Sequence, residues 1–295
     1  MRLSIVLAIS MLPLSCREKL VLVKSTPSFS DLEKRYHLLG LRKRVDEFLA
    51  FLSKTEMHII FFGMKGYPSR LALEDNPPFR LCYRGRLPEE NECLVSLCGT
   101  RYPDTLGAEA SYSFALEAGL NDIHIVTSHS RGIDRSALYG TRQAGTCAYV
   151  CCDCGLGTRR ITENRGLAGC NLISPFEPNQ EASRWRCLGR NYLTVALSSC
   201  LVVVQAPCKS GALLCASLAL DMGREVFVHE QGLRNLPVNE GTRRLEDEGC
   251  PLVSGYPAFA SSQGLPRNLS LQVCSEKEAL YRYGNTCYSL SHGTE

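Results

Sequence analysis

No stretch of 18 or more apolar residues occurs in this 295-residue chain, so no segment is long enough to span a bilayer as a helix. Charge of one sign is also lacking: 33 Lys and Arg against 30 Asp and Glu leave a formal charge of +3. That balance excludes a protein coated with cations and confines any anion site to a local cluster. A Gly-x-Gly-x-x-Gly turn is missing after the first regular strand and no acid ends the second, which argues against a dinucleotide-binding dehydrogenase. No run of aromatics marks a base-stacking platform, and no internal repeat or low-complexity tract is present.

Cysteine, by contrast, is abundant at 16 residues, but these scatter through strand-like and helix-like segments of a long chain rather than framing a small secreted domain. They read as small buried hydrophobes in a reducing compartment. Cys151, Cys152 and Cys154 cluster, yet paired C-x2-C spacings and neighbouring histidines are missing. No metal or other cofactor is expected there, and a strand end running into a glycine loop is the simpler account. The apolar run over 3–14 contains a proline and is not followed by a small-x-small cleavage site before Arg17-Glu18-Lys19, so export is not expected and the chain reads as cytoplasmic, without membrane attachment.

Periodicity divides the chain into four parts. Residues 1–55 predict a small helical domain with helices over 3–12, 17–23 and 30–52, the last opened by Ser30-Asp31-Leu32-Glu33 as a capping box. Residues 56–92, with an apolar strand at 59–62 and dense Gly, Pro and Asn punctuation, predict an extended connector into the core. Over 93–260, apolar runs at 94–98, 123–127, 146–151, 171–173, 200–204 and 225–228 alternate with helical stretches at 107–118, 134–144, 161–168, 185–198, 211–222 and 242–248. Strands buried on both faces and alternating with helices predict an α/β fold with a Rossmann-like, doubly wound, mostly parallel sheet. Residues 261–295 read as a weakly structured tail.

In such a sheet the ligand lies beyond the carboxyl ends of the strands, so the loops there carry the chemistry. The first reads Cys98-Gly99-Thr100-Arg101, where glycine lets backbone amides approach a phosphate, Thr100 offers a hydroxyl and Arg101 can grip phosphate with two parallel bonds. Taken alone it is equally a plain tight turn. The second, Ser128-His129-Ser130-Arg131-Gly132-Ile133-Asp134, adds hydroxyls, an arginine and a glycine just before a helix, with Asp134 read as the helix cap. The third places Lys209, Ser210 and Gly211 at another helix start, and Arg190 lies in the helical stretch before that strand. Any one cation is ordinary solvated surface; several at one sheet edge are harder to dismiss.

The ordered set Gly99-Thr100-Arg101, Ser128 to Ala137, Gly189-Arg190-Asn191, Lys209-Ser210-Gly211-Ala212, Gly223 to Phe227 and Asn239-Glu240-Gly241-Thr242 resembles the DNA processing protein A (DprA/Smf) family. Upstream, Gly66-Tyr67-Pro68-Ser69-Arg70-Leu71, Asn76-Pro77-Pro78 and Tyr83-Arg84-Gly85 are similar to the segment that leads this family into its core. The resemblance also departs in places. Ser128-His129-Ser130 replaces small apolar residues, Leu138 stands where histidine is common, and a second arginine is missing beside Arg190. A tyrosine-proline pair is missing after Gly157, and too few residues follow the core for the winged helix many members carry.

The resemblance implies a single-stranded DNA-binding protein that protects incoming DNA and helps load a RecA-type recombinase, acting as a homodimer and without catalytic residues. By position, Arg101, Arg131 and Lys209 would contact phosphates, with Arg190 in a supporting place. Gly99, Gly132, Ser210 and Gly211 would shape the amide-lined pocket, and Thr100 and Ser128 would supply hydroxyls. The alternative is a nucleotide-processing enzyme of the phosphoribohydrolase-like Rossmann group. Those enzymes carry a glycine pair and a catalytic glutamate where this chain has Pro207-Cys208-Lys209-Ser210-Gly211-Ala212 and no acid until Asp221.

Overall fold

The computed structural model describes residues 3–234, 238–267, 272–275, 280–283 and 286–289. Four helices come first, α1 (Leu3–Ser10), α2 (Cys16–Ser25), α3 (Phe29–Tyr36) and α4 (Leu41–Leu52), then β1 (His58–Phe61), α5 (Ser69–Ala72) and β2 (Arg80–Arg84). The regular region follows as β3 (Leu94–Cys98), α6 (Thr105–Leu120), β4 (His124–Ser128), α7 (Ile133–Gln143), β5 (Tyr149–Cys151), α8 (Arg159–Thr162), β6 (Asn171–Ser174) and α9 (Arg184–Leu197). It continues with β7 (Cys200–Val203), α10 (Gly211–Asp221), β8 (Glu225–His229), α11 (Glu240–Asp247), β9 (Leu252–Val253) and α12 (Tyr256–Gln263). β10 (Gln272–Ser275), β11 (Leu280–Tyr283) and β12 (Thr286–Ser289) pair antiparallel within the segment read as a tail, part of which lies outside the described residues.

Local chemistry accounts for several differences from the sequence reading. The single helix expected over 30–52 is two, because His37 and Gly40 both adopt left-handed backbone between them. The capping box belongs to Ser28 and Asp31 rather than to Ser30, and a second one, Ser15 with Glu18, opens α2. The connector contributes β2, whose residues Arg80, Leu81 and Cys82 are all buried and therefore show no alternation. The helix expected over 161–168 is replaced by one turn of α8 and a 3-10 turn at Arg165–Leu167.

The chain divides into two compact units, Met1–Glu92 with Tyr149–Ser198, and Cys93–Ala148 with Ser199–Glu295. In the first unit the strand order is β1-β2-β6-β5, antiparallel at β1/β2 and β2/β6 and parallel at β5/β6. Arg80 joins the helical start to this sheet: its guanidinium, only 6% exposed, donates to Ser10 Oγ at 2.8 Å and to the Pro175 carbonyl at 3.3 Å, and lies over the Phe48 ring. Cys151, Cys152 and Cys154 are thiols buried in this unit, and loss of solvent pushes the Cys152 and Cys154 thiols up.

In the second unit the order is β4-β3-β7-β8-β9, every neighbouring pair parallel. Alternate residues Val95, Leu97, Ile125, Val202 and Phe227 pack with Phe114 and Ala118 of α6, Ile133 and Ala137 of α7, and Phe259 of α12. The helix α10 packs against β7 and β8, which leaves the intervening residues Leu201, Val203, Val226 and Val228 to the other face. Helices on both faces make the sheet doubly wound. Among the described residues no helix is long and apolar enough to cross a membrane.

Replacing Arg80 by Ala is expected to lower unfolding stability by about 2–4 kcal/mol, since it strips donors from buried acceptors and opens a void beside Phe48. Chemical denaturation measures this, and an unchanged midpoint would show that Arg80 does not anchor the helical start. His229, buried at the end of β8, has its imidazole pushed down to about 4 by loss of solvent. Below pH 6.5 the unfolded chain takes up a proton that the folded chain refuses, so stability falls until about pH 4, by about 3 kcal/mol in total. The difference in stability between wild type and His229→Gln should therefore change across that window and stay flat above it.

Candidate nucleic-acid interface

The strand order of the second unit, renumbered along its own chain, is the 2-1-3-4-5 arrangement of doubly wound sheets, whose crevice opens where the winding reverses. Here that point lies between β3 and β7. The loops that leave their carboxyl ends are the glycine loop beginning at Gly99 and the loop from Val204 to Ser210, with the loop after β4 alongside.

Backbone hydrogen bonds stitch the three loops together. The Thr100 amide donates to the Gln205 carbonyl at 2.7 Å, and the Ile133 amide donates to the Thr100 carbonyl at 3.1 Å. Gly99 is required because a Cβ there would stand 2.5 Å from the Ile133 side chain and 2.8 Å from the Gln205 carbonyl. Gly132 is required twice over: its φ is +75°, and a Cβ would stand 2.4 Å from the Thr100 carbonyl.

Gln205, fully buried, ties down the first loop. Its amide nitrogen donates to Asp104 Oδ1 at 2.9 Å and to the Gln231 carbonyl at 3.3 Å, while its Oε1 accepts from the Asp104 amide at 3.2 Å. Asp104 caps α6 by accepting from the Gly107 amide at 2.8 Å. The Ala206 carbonyl accepts from Gly241 and Thr242, fixing the third loop to the start of α11. Sequence reasoning passed over Gln205 and Asp104. The available signal was a polar side chain directly following an apolar strand.

At the rim of these loops Arg101, Arg131, Lys209 and Gly211 are exposed. The structure brings all four, with Gly99, Thr100, Gly132 and Ser210, to the carboxyl edge of one parallel sheet. Ser210 Oγ accepts from the Leu213 amide as the cap of α10, and Lys209 before it adopts left-handed backbone with φ of 56°. Thr100 is largely buried, and its Oγ1 accepts from the Tyr102 amide at 3.2 Å.

Two assignments change. Asp134 is not the cap of α7, because Gly132 holds that position; the Asp134 carboxylate is buried in the first turn and accepts from Ser128 Oγ. Ser128 is 1% exposed, and its oxygen also accepts from the Ser130 amide at 3.1 Å. Its hydroxyl thus shapes the second loop rather than facing outward. Arg190 is carried by α9 of the first unit, where it is half-buried.

Cys208 and Asp221 bear on chemistry. The exposed Cys208 thiol is held above its ordinary value chiefly by its hydrogen bond to Glu240, the reverse of what a nucleophile needs. Asp221 closes the far end of α10, about 15 Å of helix from Gly211.

Comparison with known proteins follows the same stretch of chain. Residues 58–261 match the family model described as DNA recombination-mediator protein A. Protein Smf of Borreliella burgdorferi is 25% identical over 205 residues, covering 68% of this chain and 64% of that one. Protein Smf of Escherichia coli is 27% identical over 219 residues, covering 72% of this chain and 58% of its own, so the chain spans about three fifths of the length of these two relatives. Among solved structures, DNA processing protein A of Streptococcus pneumoniae matches with a TM-score of 0.72 over 88% of this chain and 98% of that chain, at 21% identity. The same protein from Helicobacter pylori, described for its single-stranded DNA binding mode, matches with a TM-score of 0.61 over 72% and 97%, also at 21% identity. The two structures share the fold, and the family match spans more than half of the sequence, from β1 into α12. The chain belongs to the DNA recombination-mediator protein A family.

Proposed function

We propose that this protein binds single-stranded DNA by its phosphates at the switch-point loops, protects incoming strands and assists loading of a RecA-type recombinase, as a cytoplasmic homodimer. The observation that carries this reading is the stitched triple loop with Arg101, Arg131 and Lys209 exposed at its rim. Two helix amino ends, those of α7 and α10, add their partial positive charge to the same edge. The family match and the strand-binding relative from Helicobacter pylori support it. Binding rather than catalysis is favoured because the Cys208 thiol is held up by its hydrogen bond to Glu240, the reverse of nucleophile activation.

A pocket of three cations predicts a slope of log affinity against log salt near −2, at about 0.7 per phosphate neutralised. Fluorescence anisotropy with oligo-dT is expected to show Arg101→Ala and Lys209→Ala each weakening binding and each flattening that slope by about 0.7. Unchanged binding in both variants would sink the pocket assignment, and release of free base from a nucleoside monophosphate would replace it with the enzyme. Gly132→Ala removes no charge but forces a Cβ into the Thr100 carbonyl, so it should weaken binding and lower stability by more than about 1 kcal/mol. For the loading role, recombinase assembly on oligo-dT should accelerate when the protein is added; no acceleration would remove that part of the reading.

A further inference from the structure

The exposed face of α7 is made of Arg131 just before the helix, then Arg135, Tyr139 and Arg142. Arg135, Tyr139 and Arg142 are three or four residues apart and so share one side of the helix, with Arg131 in the loop that leads into it. The opposite side, Ile133, Asp134, Ala137, Leu138, Gly140 and Thr141, is buried. Tyr139 keeps 45% of its surface exposed and Tyr102, next to Arg101, keeps 77%. Arg101 also stands at the head of the row, since a Cβ on Gly132 would lie 2.8 Å from its Cα.

Two features separate this row from an ordinary solvated face. Between Asp122 and Asp153 the sequence holds one acid, Asp134, and that carboxylate is buried against Ser128. In a chain with 30 acids against 33 cations such segregation is not the average surface. The acids of the adjoining helix α6, Glu109 and Glu117, line a separate cleft with His229 and Tyr256. The cations are also all arginine, interleaved with tyrosine, which is the side-chain chemistry that grips phosphates in pairs and stacks on bases.

Resting on the reading of the loops as a DNA-phosphate site, we infer that the strand leaves that pocket along α7, with Arg135 and Arg142 taking further phosphates and Tyr139 stacking on a base between them. The helix sets Arg135 and Tyr139 about 6 Å apart and Tyr139 and Arg142 about 4.5 Å apart along its axis, so cation, ring and cation follow one another at the scale of a nucleotide. Tyr102 supplies a second ring at the pocket end. The occupant is a single strand, because in a duplex both faces of each base are already covered by its stacked neighbours.

The test uses the whole protein and labelled oligo-dT of about six and about twenty nucleotides, the range over which single-strand sites extend. Wild type should bind the longer strand more tightly. The Arg135→Ala/Arg142→Ala double variant should keep its affinity for the short strand, lose about tenfold on the long one and flatten its salt slope by about 1.4. Tyr139→Ala should lose about tenfold on the long strand while Tyr139→Phe retains binding, because stacking needs the ring and not the hydroxyl. Thermal unfolding of each variant should stay near wild type, as all three side chains are exposed. Long-strand affinities and slopes equal to wild type in both alanine variants would overturn the track and leave the pocket standing. A wild type that binds neither strand would overturn the pocket itself.

Discussion

The pair of backbone bonds from Thr100 to Gln205 and from Ile133 to Thr100 is the constraint on which the site depends. Both bonds join loops whose strands are neighbours in a parallel sheet, and both require glycine where the chains pass. Each cation at the rim is placed by this contact rather than by its own side-chain partners. A buried glutamine holds the arrangement from beneath by matching the capping aspartate of α6 atom for atom. The cations can therefore stand exposed at the rim while the glutamine and aspartate that organise the loops remain inside.

That division also explains which parts of the site were legible in the sequence. The strands of the second unit showed as short apolar runs because both faces of each are covered, and the loops after them showed as glycine beside a cation. Ser128 and Asp134 were misplaced because nothing in a linear reading distinguishes a hydroxyl turned outward from one bonded to a buried carboxylate six positions on. Gln205 escaped notice because its partners lie 101 residues back and 26 residues ahead.

Elsewhere the limits have different physical causes. β2 has no alternating pattern to detect, since its first three residues are all buried, one of them an arginine. The break between α3 and α4 rests partly on His37 in left-handed backbone, a conformation that sequence flags only for glycine and asparagine. The two exposed tyrosines form no run either: Tyr102 and Tyr139 are 37 positions apart in the chain, and only the packing of the start of α7 against the first loop links the segments that carry them.

The stitching of distant loops has a thermodynamic side. Bringing residues about a hundred positions apart into contact costs about 4 kcal/mol of chain entropy, which the unit's core must offset before any cation is in place. The pocket is therefore a property of the whole folded unit and not of any segment within it. A strand that binds only the stitched form draws the folding equilibrium toward it, adding about 2.7 kcal/mol when present at a hundredfold excess over its dissociation constant. On the proposed reading DNA would be a ligand for the fold as much as for the site, and the same bonds that organise the loops would make the resistance of the unit to unfolding a readout of whether a strand is bound.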